Sequence, residues 1–229
     1  QNKPMLRLVQ GDVGAGKTLV AGVAACHALE EGWQVAMMAP TEILAEQHYL
    51  NFKKWFEPLG LNVSWLSGKQ KGKARALAEQ NIKDGSAQLV VGTHALFQDN
   101  VAFAKLGLVI IDEQHRFGVD QRLALRNKGV NNTTPHQLVM TATPIPRTLA
   151  MSAYGDLDTS VIDELPPGRT PIQTVTIPLD RREEVLQRIA QNCAEGKQAY
   201  WVCTLVEQSE TLDAQAAEAT FAEIKERFP

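Results

Sequence analysis

Eight residues near the start of the chain have the types and spacing of a phosphate-binding loop, G-x-x-x-x-G-K-S/T. They are Gly11, Asp12, Val13, Gly14, Ala15, Gly16, Lys17 and Thr18. Glycines let backbone amides wrap closely around phosphates, the lysine reaches the outer phosphates, and the hydroxyl meets Mg²⁺. An apolar segment precedes the loop and an amphipathic one begins at Lys17, so a positive helix end adds to the attraction for anions. The octet predicts binding of a nucleoside triphosphate with Mg²⁺, and a plain glycine-rich turn is the alternative.

Two adjacent acids, Asp112 and Glu113, follow the apolar run Leu108 to Ile111. Parallel sheets bind ligands at the carboxyl ends of their strands, so this pair can serve a bound nucleotide. Asp112 can hold Mg²⁺ through water, and Glu113 can orient or deprotonate the attacking water. A solvated strand end is the alternative, and the phosphate loop upstream favours the catalytic interpretation. The candidate catalytic residues are therefore Lys17, Asp112 and Glu113, and the candidate Mg²⁺ ligands are Thr18 and Asp112.

Short apolar runs alternate with longer amphipathic stretches, as in βα units stacked into a mostly parallel sheet. Strands are predicted at Met5–Gln10, Gln34–Ala39, Asn62–Leu66, Gln88–Gly92, Leu106–Asp112 and Gln137–Thr141. Leu108 to Ile111 is apolar on both faces, which suits a strand covered by helices on each side. A helix is predicted from Thr18 to Glu31, with Gly32 ending it. We therefore expect a doubly wound α/β domain.

Residues 163–171 are rich in proline and contain glycine, a composition typical of domain linkers. Beyond them the βα pattern restarts, with strands predicted at Ile172–Ile177 and Gln198–Val206, a helix opened by Asp180 and a second helix near Thr211 to Phe228. Two strands and two helices are too few for a full domain core. The predicted organisation is a nucleotide-binding domain at 1–162, a linker at 163–171 and the truncated start of a second domain at 172–229.

The composition is that of an ordinary globular protein of 229 residues, with 44% hydrophobic and 21% charged side chains. A net charge of −3 argues against coating of nucleic acid by bulk electrostatics, although a local basic groove fits this total. The three cysteines, Cys26, Cys193 and Cys203, lack metal-ligand spacing and are interpreted as buried small hydrophobic residues in a reducing compartment. The histidines also lack that spacing, and His27, His48 and His136 are interpreted as surface or packing residues. No apolar run of about 18 residues occurs, so no membrane segment is expected.

A GTP switch of the Ras type is disfavoured, because the candidate guanine-reading segment at 127–130 ends in valine instead of aspartate. The residues after the acid pair instead resemble motifs of a known family. Asp112 to His115 and Thr141 to Thr143 are similar to motifs two and three of superfamily 2 helicases, in order and spacing. Longer strings at 39–48, 112–117, 141–150 and 165–171 resemble the RecG branch of that superfamily, which shares some of them with the transcription-repair coupling translocase.

This resemblance covers essentially the whole chain. It implies RecA-like domains and an ATP-dependent DNA helicase that remodels branched DNA, such as stalled replication forks and Holliday junctions, in recombination and repair. It also implies that four residues couple the phosphate state to the nucleic-acid track: Gln114, His115, Thr141 and Thr143. The residues implied to contact that track are Thr41, Gln47, Gly68, Lys69, Thr93 and His94. Such groups at loop ends suit phosphate contacts, which position a duplex without reading its sequence.

Helicases of this kind hold ATP between two lobes, and the second lobe supplies arginines that stabilise the transition state. The resemblance implies that those arginines, and an upstream wedge domain, lie outside this chain. We therefore expect the chain alone to bind Mg·ATP weakly and to hydrolyse it poorly. The resemblance also implies that the intact protein is a monomer in the bacterial cytoplasm. Two other functions stay open. One is an RNA helicase, since nothing in the motifs senses the 2′-hydroxyl; the other is an ATPase that never acts on nucleic acid.

Overall fold

The computed structural model describes residues 4–98, 100–113, 134–143, 157–166, 168–202 and 220–226. The chain forms two compact units, which divide between Arg169 and Thr170. Gln114 and His115, two of the predicted coupling residues, lie outside the described residues. None of the described helices combines the length and the apolar character needed to span a membrane.

The described part of the first unit contains seven strands in one parallel sheet. They are β1 (Leu6–Gly11), β2 (Gln34–Met38), β3 (Val63–Leu66), β4 (Leu89–Gly92), β5 (Leu106–Asp112), β6 (His136–Thr141) and β7 (Asp158–Ile162). Their order across the sheet is β3-β4-β2-β5-β6-β1-β7. Because all strands run the same way, their carboxyl ends lie at one edge, where α/β sheets bind ligands. The predicted α/β fold is confirmed, and the first six strands lie within one residue of their predicted bounds.

Helices cover both faces of this sheet. In the described residues they are α1 (Lys17–Glu30), α2 (Glu42–Phe56) and α3 (Gly72–Lys83), with 3₁₀ turns at Glu57–Leu59 and His94–Phe97. On one face α1 and α2 pack against Leu108 and Ile110 of β5, and on the other α3 belongs to the core that contains Val109 and Ile111. β5 is thus buried on both sides, as its uninterrupted apolar sequence predicts.

The helix boundaries follow from local chemistry. α1 begins at Lys17, directly after Gly16, and the chain leaves it through Gly32 in the left-handed conformation with φ +75°. α2 begins after Thr41, whose hydroxyl accepts a hydrogen bond from the N–H of Leu44 at 3.3 Å. Both helices therefore start immediately beyond the carboxyl end of a strand, which places their first turns at the ligand-binding edge.

β7 is missing from the predicted strands. Its sequence, Asp158–Ile162, has no buried residue and pairs only with β1 among the described strands, so it forms an edge of the sheet. The guanidinium of Arg7 donates to Ser160 Oγ at 2.8 Å and to Asp158 Oδ2 at 3.1 Å. An edge strand carries polar, solvent-facing residues, so its hydrophobic pattern is too weak to be recognised.

The second unit differs from its predicted form. The strand predicted at Ile172–Ile177 is wrong, and the described part of the second predicted strand, residues 198–202, is also irregular. A strand needs a hydrogen-bonded neighbour, and the described residues of this unit contain none. Helix α4 (Arg182–Ala194) follows a 3₁₀ turn that includes Asp180, so the predicted cap at Asp180 is wrong as well.

Few side chains are buried in the described part of the second unit, where Leu186 is the one buried hydrophobic residue. Cys193 is exposed, so its interpretation as a buried residue is wrong. Arg182 donates two hydrogen bonds to the carboxylate of Glu223, at 2.6 and 2.9 Å, and its guanidinium lies 5.2 Å from the centre of the Trp201 ring. Residues 220–226, which include Glu223, are helical. All of the described candidate site residues belong to the first unit.

Candidate nucleotide and nucleic-acid site

The phosphate-binding loop connects β1 to α1 at the ligand-binding edge of the sheet. Gly14 and Gly16 have φ of +83° and +93°, a conformation that side chains with a Cβ rarely adopt. The Lys17 ammonium donates to the carbonyl oxygens of Gly11 at 2.8 Å and Asp12 at 2.9 Å. The loop is thus folded around the Lys17 ammonium.

The amino end of α1 is arranged for an anion. Gly16 offers no side chain to cap the helix, and no acidic residue occurs in its first turn. The first N–H groups of a helix lack partners within the helix, and the helix dipole makes this end positive. A phosphate bound here would accept hydrogen bonds from these N–H groups and would be attracted by the positive end of the helix dipole.

Asp112, at the end of β5, is held by His48 of α2. The His48 Nε2 atom lies 2.7 Å from Asp112 Oδ2, and the two side chains are only 9% and 13% exposed. His48 is thus buried, as the packing interpretation predicts, and it also has a specific partner in Asp112. Its signal in the sequence is its spacing, because it shares the buried face of α2 with Ala45 and Phe52, and a buried polar ring needs a partner.

The Glu113 side chain lies at the carboxyl end of β6, which is a neighbour of β5 in the sheet. Its backbone has φ +51°, the one positive value among the described residues other than glycine, and its N–H donates to Met140 O at 2.9 Å. Glu113 Oε1 accepts from the N–H of Ala142 at 3.2 Å, and Oε2 accepts from the Thr141 hydroxyl at 3.4 Å. A left-handed residue of this kind is strained, and such strain is concentrated at functional sites. The turn separates two adjacent acids, one towards α2 and one towards the end of β6.

Thr141 connects the acid to the segment that follows β6. Its side chain is 1% exposed, and its hydroxyl also accepts a hydrogen bond from the N–H of Thr143 at 3.1 Å. The structure therefore brings the predicted coupling residues Thr141 and Thr143 together with Glu113. A change in the position of either threonine would change the hydrogen bonding of the Glu113 carboxylate.

Arg169, the last residue of the first unit, contacts the phosphate-binding loop. Its guanidinium lies 3.0 Å from Asp12 Oδ2 and donates to the carbonyl oxygen of Val13 at 3.1 Å. The Asp12 carboxylate also accepts from the N–H of Val13 at 2.7 Å. Sequence reasoning assigned no role to Arg169 individually, although an acid inside an anion-binding loop is a signal that a nearby cation must neutralise it.

The residues predicted to contact nucleic acid lie beyond the ends of β2, β3 and β4. These strands are neighbours in the sheet, and Gly92 of β4 packs so closely on the Leu66 carbonyl of β3 that a Cβ would overlap it. The exposed members of the set are Thr41, Gln47, Gly68, Lys69 and His94. Thr93 is 3% exposed, and its hydroxyl has no hydrogen-bond partner in the described structure. His94 therefore offers the more accessible side chain in this loop.

The local positive charge near β3 is partly neutralised. Lys69 forms an ion pair with Glu42 in the first turn of α2, and this hydrogen bond raises the pKa of Lys69 above its ordinary value. Arg75 of α3 donates to Glu79 at 2.8 Å and to Gln98 at 2.9 Å. Lys71 and Lys73 are exposed at the start of α3. The basic run is thus a helix start whose charges are divided between internal partners and solvent.

Comparison with known proteins assigns the chain to a family. The family model of the DEAD/DEAH box helicases matches residues 2–152, which include the phosphate-binding loop, the acid pair and Thr141. The chain belongs to the DEAD/DEAH box helicase family. The matched range contains the described residues that meet at the ligand-binding edge of the sheet.

Several curated helicases are similar over the whole chain. The ATP-dependent DNA helicase RecG of Escherichia coli O157:H7 is 66% identical over 228 residues, which cover 99% of this chain and 33% of the relative. RecG of Aquifex aeolicus (strain VF5) is 48% identical over 226 residues, with 99% and 28% covered. The chain thus spans about a third of the length of the curated relatives it matches. The predicted resemblance to RecG helicases is confirmed.

Solved structures of helicases are also similar to this chain. A structure of RecG bound to a three-way DNA junction superimposes with a TM-score of 0.79 at 43% identity, covering all of this chain and 29% of the other. The helicase domain of Hef from Pyrococcus furiosus has a TM-score of 0.56 at 21% identity, over 96% of this chain and 50% of the other. The second match supports the fold alone.

The donor set of this helicase chain fits Mg²⁺ with a nucleotide. Thr18, in the first turn of α1, offers a hydroxyl, and Asp112 offers a carboxylate at the neighbouring part of the same sheet edge. Mg²⁺ prefers oxygen ligands and is usually held by one or two carboxylates together with water and substrate phosphates. These residues therefore suit a metal that arrives with its nucleotide.

Proposed function

We propose that this protein is the motor core of an ATP-driven DNA translocase that acts on branched DNA. The observation that carries the proposal is the meeting of the phosphate-binding loop, Asp112 and the anchored Glu113 at one sheet edge, beside loops that suit phosphate contacts. The names of the similar proteins, and the three-way junction bound by one of them, support DNA as the partner.

The domain roles follow the chain order. Residues 1–162 form the ATP-binding lobe, 163–171 the linker, and 172–229 the start of a second RecA-like lobe. The separate compactness of the units on either side of Arg169 and Thr170 supports this division. Turnover belongs to the intact protein, for which we propose a monomer in the bacterial cytoplasm.

The nucleotide chemistry is assigned to the half of the edge formed by β5, β6 and β1. The loop amides and the end of α1 bind the phosphates, and the Lys17 ammonium binds the outer phosphates. Thr18 and Asp112 would hold Mg²⁺, which neutralises charge on the phosphates when bound. Glu113 orients the attacking water and accepts its proton, and Ala142 and Thr141 hold its carboxylate in position.

Movement on DNA is assigned to the other half of the edge. The backbone and polar side chains beyond β2, β3 and β4 contact the phosphates of one strand, so binding is independent of base sequence. Those contact residues are Thr41, Gln47, Gly68, Lys69, Thr93 and His94. Gln114, His115, Thr141 and Thr143 couple the state of the γ-phosphate to these contacts.

The test uses the full-length protein and compares its ATPase rate without nucleic acid, with branched DNA, with linear duplex DNA and with structured RNA. We expect the largest stimulation with branched DNA, and we expect Lys17→Ala to abolish it because the outer phosphates lose their main cation. A Lys83→Ala variant, altered in the last turn of α3 away from the loop, should keep the full rate.

Other outcomes identify the alternatives. Stimulation by RNA alone would replace the proposal with an RNA helicase, and an ATPase indifferent to every nucleic acid would replace it with a nucleotide-regulated protein of another kind. Because Lys17→Ala removes the chemistry in all three cases, the panel of nucleic acids, and not the variant, decides between them.

A further inference from the structure

The hydrogen bond between His48 and Asp112 joins the two halves of the ligand-binding edge. Asp112 lies on β5, while α2, which carries His48, follows β2 and is held at its start by Thr41. The two residues are 64 positions apart, and their side chains meet at 2.7 Å. An ionised carboxylate can only accept hydrogen bonds, so the His48 Nε2 atom donates to Asp112.

Packing alone does not account for a histidine at this position. His48 is 7% exposed, and its Nδ1 atom is buried without a hydrogen-bond partner in the described structure. A buried polar atom without a hydrogen-bond partner destabilises the folded state, and an apolar residue would fill the space without that cost. The histidine is thus explained by what its other nitrogen does, which is to hold Asp112.

α2 presents different faces to the two halves. Gln47, exposed and proposed to contact DNA, directly precedes His48, which faces the interior. Successive helical residues are about 100° apart, so a rigid shift or rotation of α2 moves both side chains together. A displacement imposed at Gln47 or Thr41 would therefore change the hydrogen bond at Asp112.

We infer that His48 is a positioning residue that holds the Asp112 carboxylate for Mg²⁺ and makes its position depend on the helix that carries the DNA contacts. The inference rests on the proposed function, because it requires Asp112 to be a ligand of the nucleotide-bound metal. Partners that orient a metal ligand typically contribute about 10–100-fold in metal affinity or activity.

The test measures binding of a fluorescent ADP derivative to the full-length protein, with and without Mg²⁺. His48→Leu removes the N–H with little change in volume, whereas His48→Gln keeps an N–H donor. Leu50→Ala is the matched control, because Leu50 lies on the same helix and is 58% exposed. Thermal unfolding of each variant records any general loss of stability.

We expect Mg²⁺ to strengthen nucleotide binding in the wild type, and we expect His48→Leu to reduce this gain by about tenfold while binding without Mg²⁺ stays the same. His48→Gln should recover most of the gain, and Leu50→Ala should behave as the wild type. An equal loss with and without Mg²⁺, or a glutamine variant no better than leucine, would reduce His48 to a structural residue and overturn the inference.

A second measurement in the same samples tests the dependence on α2. Adding branched DNA should change the affinity for the Mg²⁺-bound nucleotide in the wild type, and this change should be lost in His48→Leu although DNA binding without nucleotide is unaltered. A preserved DNA effect would refute the link through His48. A wild type that binds no nucleotide at all would instead contradict the proposed function itself.

Discussion

The two halves of the ligand-binding edge differ in how firmly their side chains are held. In the nucleotide half, Lys17, Asp112 and Glu113 each have hydrogen-bond partners within the first unit. In the nucleic-acid half, Gln47 and His94 are exposed, and the Lys69 ammonium is paired with a glutamate at the protein surface. The same sheet thus supports a pre-arranged site next to an adaptable one.

The difference fits the role proposed for each half. Transfer of a phosphoryl group to water requires reacting groups placed to within about 0.5 Å, so their side chains must be held by packing and hydrogen bonds. Contacts with a sugar-phosphate backbone repeat along the strand and carry no sequence information, so a moving protein benefits from contacts that break easily. Substitutions should therefore have large effects in the first half and small, salt-sensitive effects in the second.

The strongest expected effect is that of Glu113→Gln. Loss of the proton acceptor should lower the rate of ATP hydrolysis by about 10²–10⁴-fold while nucleotide affinity stays within about threefold. The measurement is the turnover rate at saturating ATP together with binding of a fluorescent ADP derivative. Glu46→Gln, on the exposed side of α2, is the control and should be near wild type. A glutamine variant with more than a tenth of the normal rate would show that Glu113 is not the base.

Thr141→Val should have the next largest effect. The substitution keeps the shape of the side chain but removes the hydroxyl that donates to Glu113 and accepts from Thr143. Hydrogen bonds to charged groups contribute about 1.5–3 kcal/mol, and this one is long, so we expect DNA-stimulated hydrolysis to fall by about tenfold with little change in ATP affinity. Thr159→Val, on the exposed edge strand β7, serves as the comparison. Equal rates for the two variants would break the proposed link between β6 and Glu113.

Arg169→Gln tests a partly exposed contact of the nucleotide half. Without the guanidinium, the Asp12 carboxylate would repel incoming phosphates, and we expect ATP affinity to fall by about threefold, as for ion pairs at a surface. Adding Asp12→Asn should restore affinity, because it removes the charge that Arg169 neutralises. Titrations at low and high salt check the cause, since the defect should shrink as salt increases. A double variant weaker than Arg169→Gln would contradict the electrostatic explanation.

The smallest effect is expected from Glu42→Gln in the nucleic-acid half, and it should be a gain. Releasing Lys69 from its ion pair would make the ammonium available for a DNA phosphate. Affinity for duplex DNA should rise by about twofold, and the slope of log affinity against log salt should become steeper by about 0.9. Glu30→Gln, on the exposed end of α1, should change neither quantity. A loss of affinity would mean that the Lys69–Glu42 pair itself forms the contact surface.

Local sequence patterns predicted much of the fold and of the candidate site. The first six strands lie within one residue of their predicted bounds because each contains several apolar residues between segments of different pattern. The missed strand, β7, is an edge strand with polar residues, and the wrong strand at Ile172–Ile177 has no neighbour among the described residues of its unit. Strand pairing depends on distant segments, so the pattern of one segment can neither guarantee nor exclude it.

By itself, the sequence determined the phosphate-binding loop and the acid pair at the end of β5, since each consists of consecutive residues. It also determined the α/β class, because short apolar runs alternate with amphipathic stretches along the chain. Only the tertiary structure decided the strand order, which places β5, β6 and β1 side by side. It also decided the contacts of His48 with Asp112 and of Arg169 with Val13, which join residues 64 and 156 positions apart. Such contacts depend on how the chain crosses the sheet, and no periodicity or motif within either segment encodes that path.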